Sequence, residues 1–443
     1  MHIDLPDKVR KIIETMEAGG YEAYAVGGCI RDSILGRIPD DWDITTSASP
    51  QEVKRLFCRT IDTGIQHGTV TVMIGREGFE VTTYRIDGEY EDGRHPKEVT
   101  FTSSLIEDLK RRDFTINAMA YNEKEGLVDV FGGMEDIENR LIRCVGDPRE
   151  RFGEDALRMM RAVRFSAQLG YAIEEKTKAA VKEMAGNLSC ISAERIQSEL
   201  VKLLISPHPD YLRVCYETGI TRVILPEFDK CMETEQNNPH HCYTVGEHIL
   251  HSLETIKADK VLRLAMLFHD IGKPETKFTD EEGIDHFHGH ARAGEEIARR
   301  VMKRLRFDNA TRDKAARLVW YHDYPIEASA RSVRKAVNRI GEDIFPCLFD
   351  VKRADIGAQS GYRREEKTAA LEEARKVYEK ILENRQCVSL RTLAVTGRDL
   401  IDAGMEPGKE IGRTLEKLLQ TVLENPEENA KEKLLEYVRE MTS

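Results

Sequence analysis

The stretch from Gly27 to Ile44, GGCIRDSILGRIPDDWDI, constrains this chain more than any other. A short apolar run ends at Val26, and a glycine pair follows. Gly27 and Gly28 carry no side chains, so a bulky anion can approach their backbone amides. Arg31 falls on the first turn of an expected helix, where unpaired amides also attract anions. The turn from Arg37 to Pro39 leads into a second expected strand. Residues two apart on a strand share a face, so Asp41 and Asp43 are expected to project together, with Trp42 turned the other way. Adjacent carboxylates repel each other unless a divalent cation lies between them. Such an oxygen-rich pair suits Mg²⁺ carrying a nucleoside triphosphate.

At 443 residues the chain is too long for one core, so several domains are expected. With 40% hydrophobic and 33% charged residues it reads as soluble, globular and helix-rich. No apolar run approaches the ~20 residues that span a bilayer. The opening MHIDLPDKVRKIIETM has no apolar h-region, so no secretory signal is expected. The nine cysteines form no C-x-x-C pair, which points to free thiols in a reducing cytoplasm rather than disulfides or zinc. The net charge of −12 disfavours nucleic acid on average, so any nucleic-acid surface has to be local. Leu141 to Gly170 holds six arginines (Arg143, Arg149, Arg151, Arg158, Arg161 and Arg164) against four acids. A basic stripe there is expected to hold RNA in a salt-sensitive way.

Along the chain, Leu5 to Ala18 has helical periodicity and stops at Gly19-Gly20. Pro50 to Phe57 reads as a helix capped by Ser49. HGTVTVMI from His67 and FEVTTYRI from Phe79 alternate with period two and read as strands. Glu80 is either a third carboxylate beside the aspartate pair or a solvent-facing strand residue. Asp87 to Val99 reads as a mobile surface loop. Leu105 to Tyr121 reads as a helix bearing Lys110, Arg111 and Arg112, and a turn follows at Phe131 to Gly133. Gly146-Asp147-Pro148 marks a boundary. RFGEDALRMMRAVRFSAQLG then has helical spacing, with Asp155, Arg158, Arg161 and Arg164 recurring every three residues as one slanted polar stripe. Three arginines to one aspartate is a poor balance for surface ion pairs. Cytosine and adenine each offer an amino donor beside a ring-nitrogen acceptor, and uracil and guanine offer the reverse. A carboxylate with a guanidinium, Asp155 with Arg158, can therefore accept C and A and reject U and G.

In this order, GGCIRDSILGRIPDDWDI, RRDFTINAM, the Phe131 turn and EDALRMMRAVRF resemble the motifs of class II tRNA nucleotidyltransferases and bacterial poly(A) polymerases. These belong to the polymerase-beta-like nucleotidyltransferases. SAERIQSELVKLL, expected as a helix capped by Ser192, resembles the family's neck-stabilising motif. The resemblance implies an α+β fold, with a small α/β head followed by a mostly helical neck. It implies catalysis by Asp41 and Asp43 on Mg²⁺, and nucleotide binding by Gly28, Arg31, Arg112, Asp155, Arg158, Arg161 and Arg164. The implied reaction is template-independent addition of C, C and A to the tRNA 3′ end from CTP and ATP. A loop at Asp87 to Val99 implies full CCA or A-adding activity, because C-only enzymes lack it.

From Glu233 histidines become dense, and LFHDIGKP places His269 and Asp270 at the end of an apolar helix. His248, His269, Asp270 and Asp355 resemble the H…HD…D ligand set of HD-superfamily phosphohydrolases. Mixed histidine and aspartate donors suit Mg²⁺, Mn²⁺, Fe²⁺ or Ni²⁺. His290 and His322 are candidates for a second metal or a substrate phosphate. Glu365 to Arg385 reads as a long charged helix, with turns at Gly397-Arg398-Asp399 and Pro407 to Lys409. This tail resembles the C-terminal region of HD-bearing tRNA nucleotidyltransferases and reads as a helical scaffold. The expected division is 1–145 head, 146–232 base-selecting and RNA-binding neck, 233–360 HD domain and 361–443 tail. The expected partners are the tRNA 3′ end, CTP and ATP, in the cytoplasm, with no membrane and no DNA. An A-adding or poly(A) polymerase specificity, or an HD phosphohydrolase with a nucleotide-sensing head, stays open at this point.

Overall fold

The structure is a computed structural model that describes residues 1–88 and 99–442. The chain forms two compact units, Met1–Pro226 and Glu227–Ser443. The first opens with α1 (Asp7–Ala18). Its Val9, Ile12, Ile13 and Met16 are buried at the spacing of one helical face. Next come β1 (Ala23–Val26), α2 (Gly28–Ile34), β2 (Ile44–Thr46) and α3 (Pro50–Leu56). The expected cap of α3 forms in full: Ser49 Oγ accepts the Glu52 N–H, and the Glu52 carboxylate accepts the Ser49 N–H.

The strands β3 (Thr60–Gly64), β4 (Thr69–Ile74), β5 (Glu77–Thr83), β6 (Arg85–Asp87) and β7 (Val99–Phe101) follow. After α4 (Leu105–Lys110) come β8 (Ala120–Asn122) and β9 (Gly126–Val128). Seven strands form one sheet in the order β3-β4-β5-β2-β1-β8-β9. β2 runs parallel to β5 with Ile44 opposite Val81, which brings the preceding residues Asp43 and Glu80 side by side. β6 and β7 pair as a separate ribbon, so the ends of the expected Asp87–Val99 loop are strand. The rest of that loop lies outside the described residues.

Several local expectations are corrected. Asp41 and Asp43 lie just ahead of β2 rather than within it. The Asp43 carbonyl nevertheless accepts the Val26 N–H at 3.0 Å, which extends the ladder to that residue. The run from His67 becomes strand only at Thr69, because Ile65–His67 forms a 3₁₀ turn. The basic helix ends at Lys110, and beyond it the Asp113 carboxylate takes the Phe114 N–H at 2.9 Å, competing with helical bonding.

After α5 (Gly133–Glu138) the RFGED…QLG helix divides into α6 (Pro148–Glu154) and α7 (Leu157–Leu169). Asp155 sits at the break in extended geometry, φ −144°, with its carboxylate accepting the Leu157 N–H at 3.1 Å. It therefore does not share a helical stripe with Arg158, Arg161 and Arg164. Ser192 precedes the helix Ala193–Leu204 but makes no side-chain cap.

In the second unit the helices Val245–Thr255, Lys260–Phe268, His290–Arg304, Asn309–Tyr321 and Phe345–Ala358 pack together. The charged helix Arg364–Glu383 packs on Phe345–Ala358 and on Ala330–Ile340. The tail has its own cluster of buried residues, among them Leu400, Leu419, Val422 and Leu434. Buried Arg334 donates to the carbonyls of Leu423 and Glu424, satisfying the open end of the helix Lys409–Glu424. Gly397-Arg398-Asp399 is not a turn. Thr396 and Asp399 cap each other and start a helix there. All nine cysteines are free thiols. Among the described residues, no helix is long and apolar enough to cross a membrane.

Candidate functional site

In the first unit, Asp41, Asp43 and Glu80 are exposed on a cleft of about 670 Å³, beside Trp42 and Phe79. Crowding by protein atoms, then the charges of Asp41 and Glu80, push the Asp43 carboxyl up to about 6 against the pull of Arg112. Three carboxylates with one nearby guanidinium leave negative charge uncompensated, and that donor set fits a divalent cation.

Gly27, at φ 87°, precedes α2, and a Cβ on it would lie 3.1 Å from Arg112 Nη1. Only glycine gives both that conformation and that space. Arg112 is bound to fully buried Asp108 at 3.5 Å, and its buried Nε has no hydrogen-bond partner among the described residues. Asp108 also accepts from Thr45 on β2 at 3.0 Å and from Arg111 at 2.9 Å. The segment 108–113 is thereby held against the strand that follows the aspartates.

The same segment carries α7. Arg158 Nη2 donates to the Arg111 carbonyl at 3.0 Å, and Arg161 pairs with Asp113 at 2.6 Å. The Phe165 ring lies under three guanidinium groups, those of Arg164 at 3.7 Å, Arg31 at 5.1 Å and Arg161 at 5.2 Å. Arg31 is buried, bound to Asp32 and to Asn117 at 2.7 Å. Arg112, Asp113 and the arginines of α7 thus form one polar wall, with Asp43 within electrostatic reach of Arg112.

The expected basic stripe is corrected. Each of its six arginines has an acidic partner: Arg143 with Asp136, Arg149 with Glu183, Arg151 and Arg158 with Glu154, Arg161 with Asp113, and Arg164 with Glu199. Arg164 is buried, which lowers its pKa to about 10. Asp155 is held by both Nη atoms of Arg195, at 2.7 and 3.2 Å.

Asp113, Asn117, Phe165 and Arg195 were not singled out from sequence. Asp113 and Asn117 stand inside RRDFTINAM and carried that signal. Burial alone would raise the Asp113 carboxyl, but Arg161 and then Arg158 hold it at about 2. This depressed value means the pair stabilises the fold above the ordinary aspartate range near ~4, and loses that contribution as pH falls towards about 2. Asp113→Ala is expected to cost about 3 kcal/mol at pH 7 in chemical denaturation, because Arg161 loses its partner, with a smaller cost near pH 2.

In the second unit, His248, His269 and Asp270 come together with Asp355 beside the two histidines, and His290 and His322 join them on the other side of Asp270. His248 and His269 face each other through Nε2 at 3.2 Å, and His290 and His322 do so at 3.1 Å. Asp355 lies 2.9 Å from His248 Nε2, and Asp270 lies 3.4–3.7 Å from all four histidines. The four Nδ1 atoms point at the carbonyls of Ala358, Met266, Phe287 and Val319. Carbonyls only accept, so each Nδ1 carries hydrogen and each Nε2 is turned inward, where a neutral ring offers its lone pair.

Facing lone pairs need a proton or a cation between them, and these donors fit divalent metal at both positions. Burial and then Lys273 and His269 act on Asp270, whose carboxyl is held well below its usual range. Gly272 permits the close approach that builds this centre, since a Cβ there would fall 2.2 Å from the His290 carbonyl. His251 is not part of it and pairs with Glu254 at the surface. Lys273, not singled out from sequence, lies 2.7 Å from Asp270. A cavity of about 590 Å³ opens over the cluster.

Family models match in the same order along the chain. The poly(A) polymerase head domain covers residues 23–143, the probable RNA- and SrmB-binding site of polymerase A covers 170–232, and the HD domain covers 240–358. The CCA-adding enzyme of Lactobacillus helveticus is 56% identical over 207 residues, 46% of this chain and 52% of that protein. That of Geobacillus kaustophilus is 54% identical over 210 residues, 47% and 52% of the two. The chain spans about half the length of these curated relatives. The Bacillus stearothermophilus CCA-adding enzyme, solved in complex with CTP, superposes with a TM-score of 0.71 at 30% identity over 98% of this chain and 96% of that one. The Thermotoga maritima CCA-adding enzyme, solved with tRNA, shares the fold at a TM-score of 0.62 and 21% identity, over 100% of both chains. With one such structure matched along nearly its whole length and three domain models in register, the chain belongs to the CCA-adding enzyme family.

Proposed function

We propose that the first unit adds C, C and A to the 3′ end of tRNA from CTP and ATP without a nucleic-acid template. The observation that supports this best is the polar wall joining the Asp41, Asp43 and Glu80 cleft to the arginines of α7 through residues 108–113. Asp41 and Asp43 would hold Mg²⁺, with Glu80 beside them. The chemistry supplied by that bound ion is acidification of the tRNA 3′-hydroxyl and charge neutralisation at the α-phosphate. The Gly27-Gly28 turn and Arg112, with its unpartnered Nε, cradle the triphosphate. Buried Arg31 and Arg164 orient this wall through Asn117, Glu199 and Phe165 rather than lying open to solvent.

Asp155 and Arg158 read the base. The bidentate Arg195 contact does not consume Asp155, because a carboxylate has about four lone-pair positions. The CTP complex of the Bacillus stearothermophilus relative supports a cytidine substrate, and a tRNA substrate supports a cytoplasmic site of action. Along the chain we propose the finer division 1–145, 146–232, 233–360 and 361–443, in which the neck ends six residues beyond the boundary between the two units.

The test is incorporation of labelled CTP alone, then ATP, into tRNA lacking CCA. Wild-type protein is expected to add C first. Label from ATP but none from CTP would establish an A-adding enzyme instead. Arg158→Ala is expected to lose roughly ten-fold or more in selectivity for C and A over U and G. Unchanged selectivity would remove Arg158 from base reading.

A second activity is proposed for the other unit, on the convergence of His248, His269, Asp270 and Asp355. It is a metal-dependent phosphohydrolase acting on phosphate esters, with Mg²⁺, Mn²⁺, Ni²⁺ or Fe²⁺ as the ion and His290 and His322 holding a second one. Metal bound there would polarise a phosphoryl oxygen and activate water. The residues themselves orient the ligands through their backbone carbonyl bonds and keep Asp270 ionised beside Lys273.

A further inference from the structure

We infer that Lys367, on the helix beyond the HD-matched segment, is the phosphate anchor of the metal cavity; this rests on the phosphohydrolase reading of that cavity. The family model ends at residue 358, but the cavity wall continues through Gln359 and Lys367. This rim is tied to the opposite strand of chain. The Ser360 N–H donates to the His240 carbonyl at 2.8 Å, and Ser360 Oγ donates to the Pro239 carbonyl at 2.6 Å. The His240 and Tyr362 rings meet edge to face at 5.0 Å. Lys367 is therefore held in place by two segments far apart in sequence.

Its hydrogen bonds show what it has left to give. Lys367 Nζ donates to Gln359 Oε1 at 2.6 Å and to His240 Nδ1 at 3.1 Å. Both partners are neutral, since burial and the neighbouring lysine lower the His240 pKa. An ammonium has three N–H donors, so one is left; burial lowers the Lys367 pKa, and the charges of Asp355 and Asp323 act on it from beyond contact. Accepting at Nδ1 also fixes the His240 tautomer, leaving Nε2–H as a second donor on a ring that lines the cavity. Gln359 Nε2 in turn donates to both Asp355 oxygens at 3.2 Å, so Lys367 stands two hydrogen bonds from a proposed metal ligand.

Lys273 differs. Its ammonium lies 2.7 Å from Asp270 and donates to Gln236 at 2.8 Å, so its charge is already matched. Of the two lysines on this wall, Lys367 is the one placed to meet an incoming phosphoryl group.

The test uses full-length protein loaded with Mn²⁺ and orthophosphate as the probe, with calorimetric binding and elemental analysis as readouts. Lys367→Ala is expected to weaken orthophosphate binding about ten-fold or more with metal content unchanged, and Lys367→Arg to retain most of the affinity. Wild-type affinity in Lys367→Ala, or loss of metal in it, overturns the assignment, the second by showing that Lys367 acts through Gln359 and Asp355. So does a metal-loaded wild type that binds no phosphate. Turnover of a chromogenic phosphate ester by the wild type is measured separately. Its absence, with the Lys367 effect intact, removes hydrolysis and leaves the anchor in place.

Discussion

Replacing Asp43 by alanine is expected to lower nucleotide transfer roughly a thousand-fold or more without unfolding the protein, and Asp41→Ala is expected to do the same. The reason lies in the cleft itself, where Asp43 is crowded by protein atoms and by the charges of Asp41 and Glu80. Its carboxyl, raised to about 6, binds a proton more tightly in the fold than in the unfolded chain. Without metal, ionised Asp43 therefore disfavours the fold, and stability falls as pH rises from ~4 through about 6. At pH 7.5 in EDTA, Asp43→Ala is accordingly expected to melt no lower than wild type, and slightly higher. Excess Mg²⁺ should stabilise the wild type more than the variant. Retained incorporation into tRNA, or a large fall in melting temperature, would contradict this assignment.

Asp270→Ala is the second large effect. Asp270 stands between both histidine pairs and beside buried Lys273. Its removal is expected to abolish metal binding at both positions. It also leaves the Lys273 ammonium without its carboxylate, at a cost of about 3–5 kcal/mol in chemical denaturation. Asp270→Asn should lose metal similarly with less destabilisation, because the amide keeps the shape and a hydrogen-bonding oxygen. A variant that binds metal at wild-type stoichiometry would place the centre elsewhere.

These two sites differ in how they were legible. The glycine turn, the Asp-x-Asp and the HD dipeptide are local, with spacings set by one turn or one strand, so reading them needed no knowledge of the fold. The role of Glu80 is not legible from sequence, because its place beside Asp43 depends on β5 lying parallel to β2. The stripe from Asp155 to Arg164 does not form as one helical face, because helical spacing does not hold across Asp155, where the chain breaks. Charge counting over Leu141 to Gly170 failed for a related reason. The partners of Arg143, Arg161 and Arg164 are Asp136, Asp113 and Glu199, and the last two lie well outside that window.

The amino-acid sequence by itself determined the chemistry available to this protein: paired carboxylates after a glycine turn, and an adjacent His269-Asp270 in a histidine-rich stretch. Those patterns depend on neighbouring residues, and local stereochemistry carries them. Only the tertiary structure decided which charges stay open. It buried Arg31 and Arg164, matched Lys273 to Asp270, and set Lys367 against two neutral partners. An ion pair or a hydrogen bond forms between groups close in space, and periodicity along a chain does not record that distance.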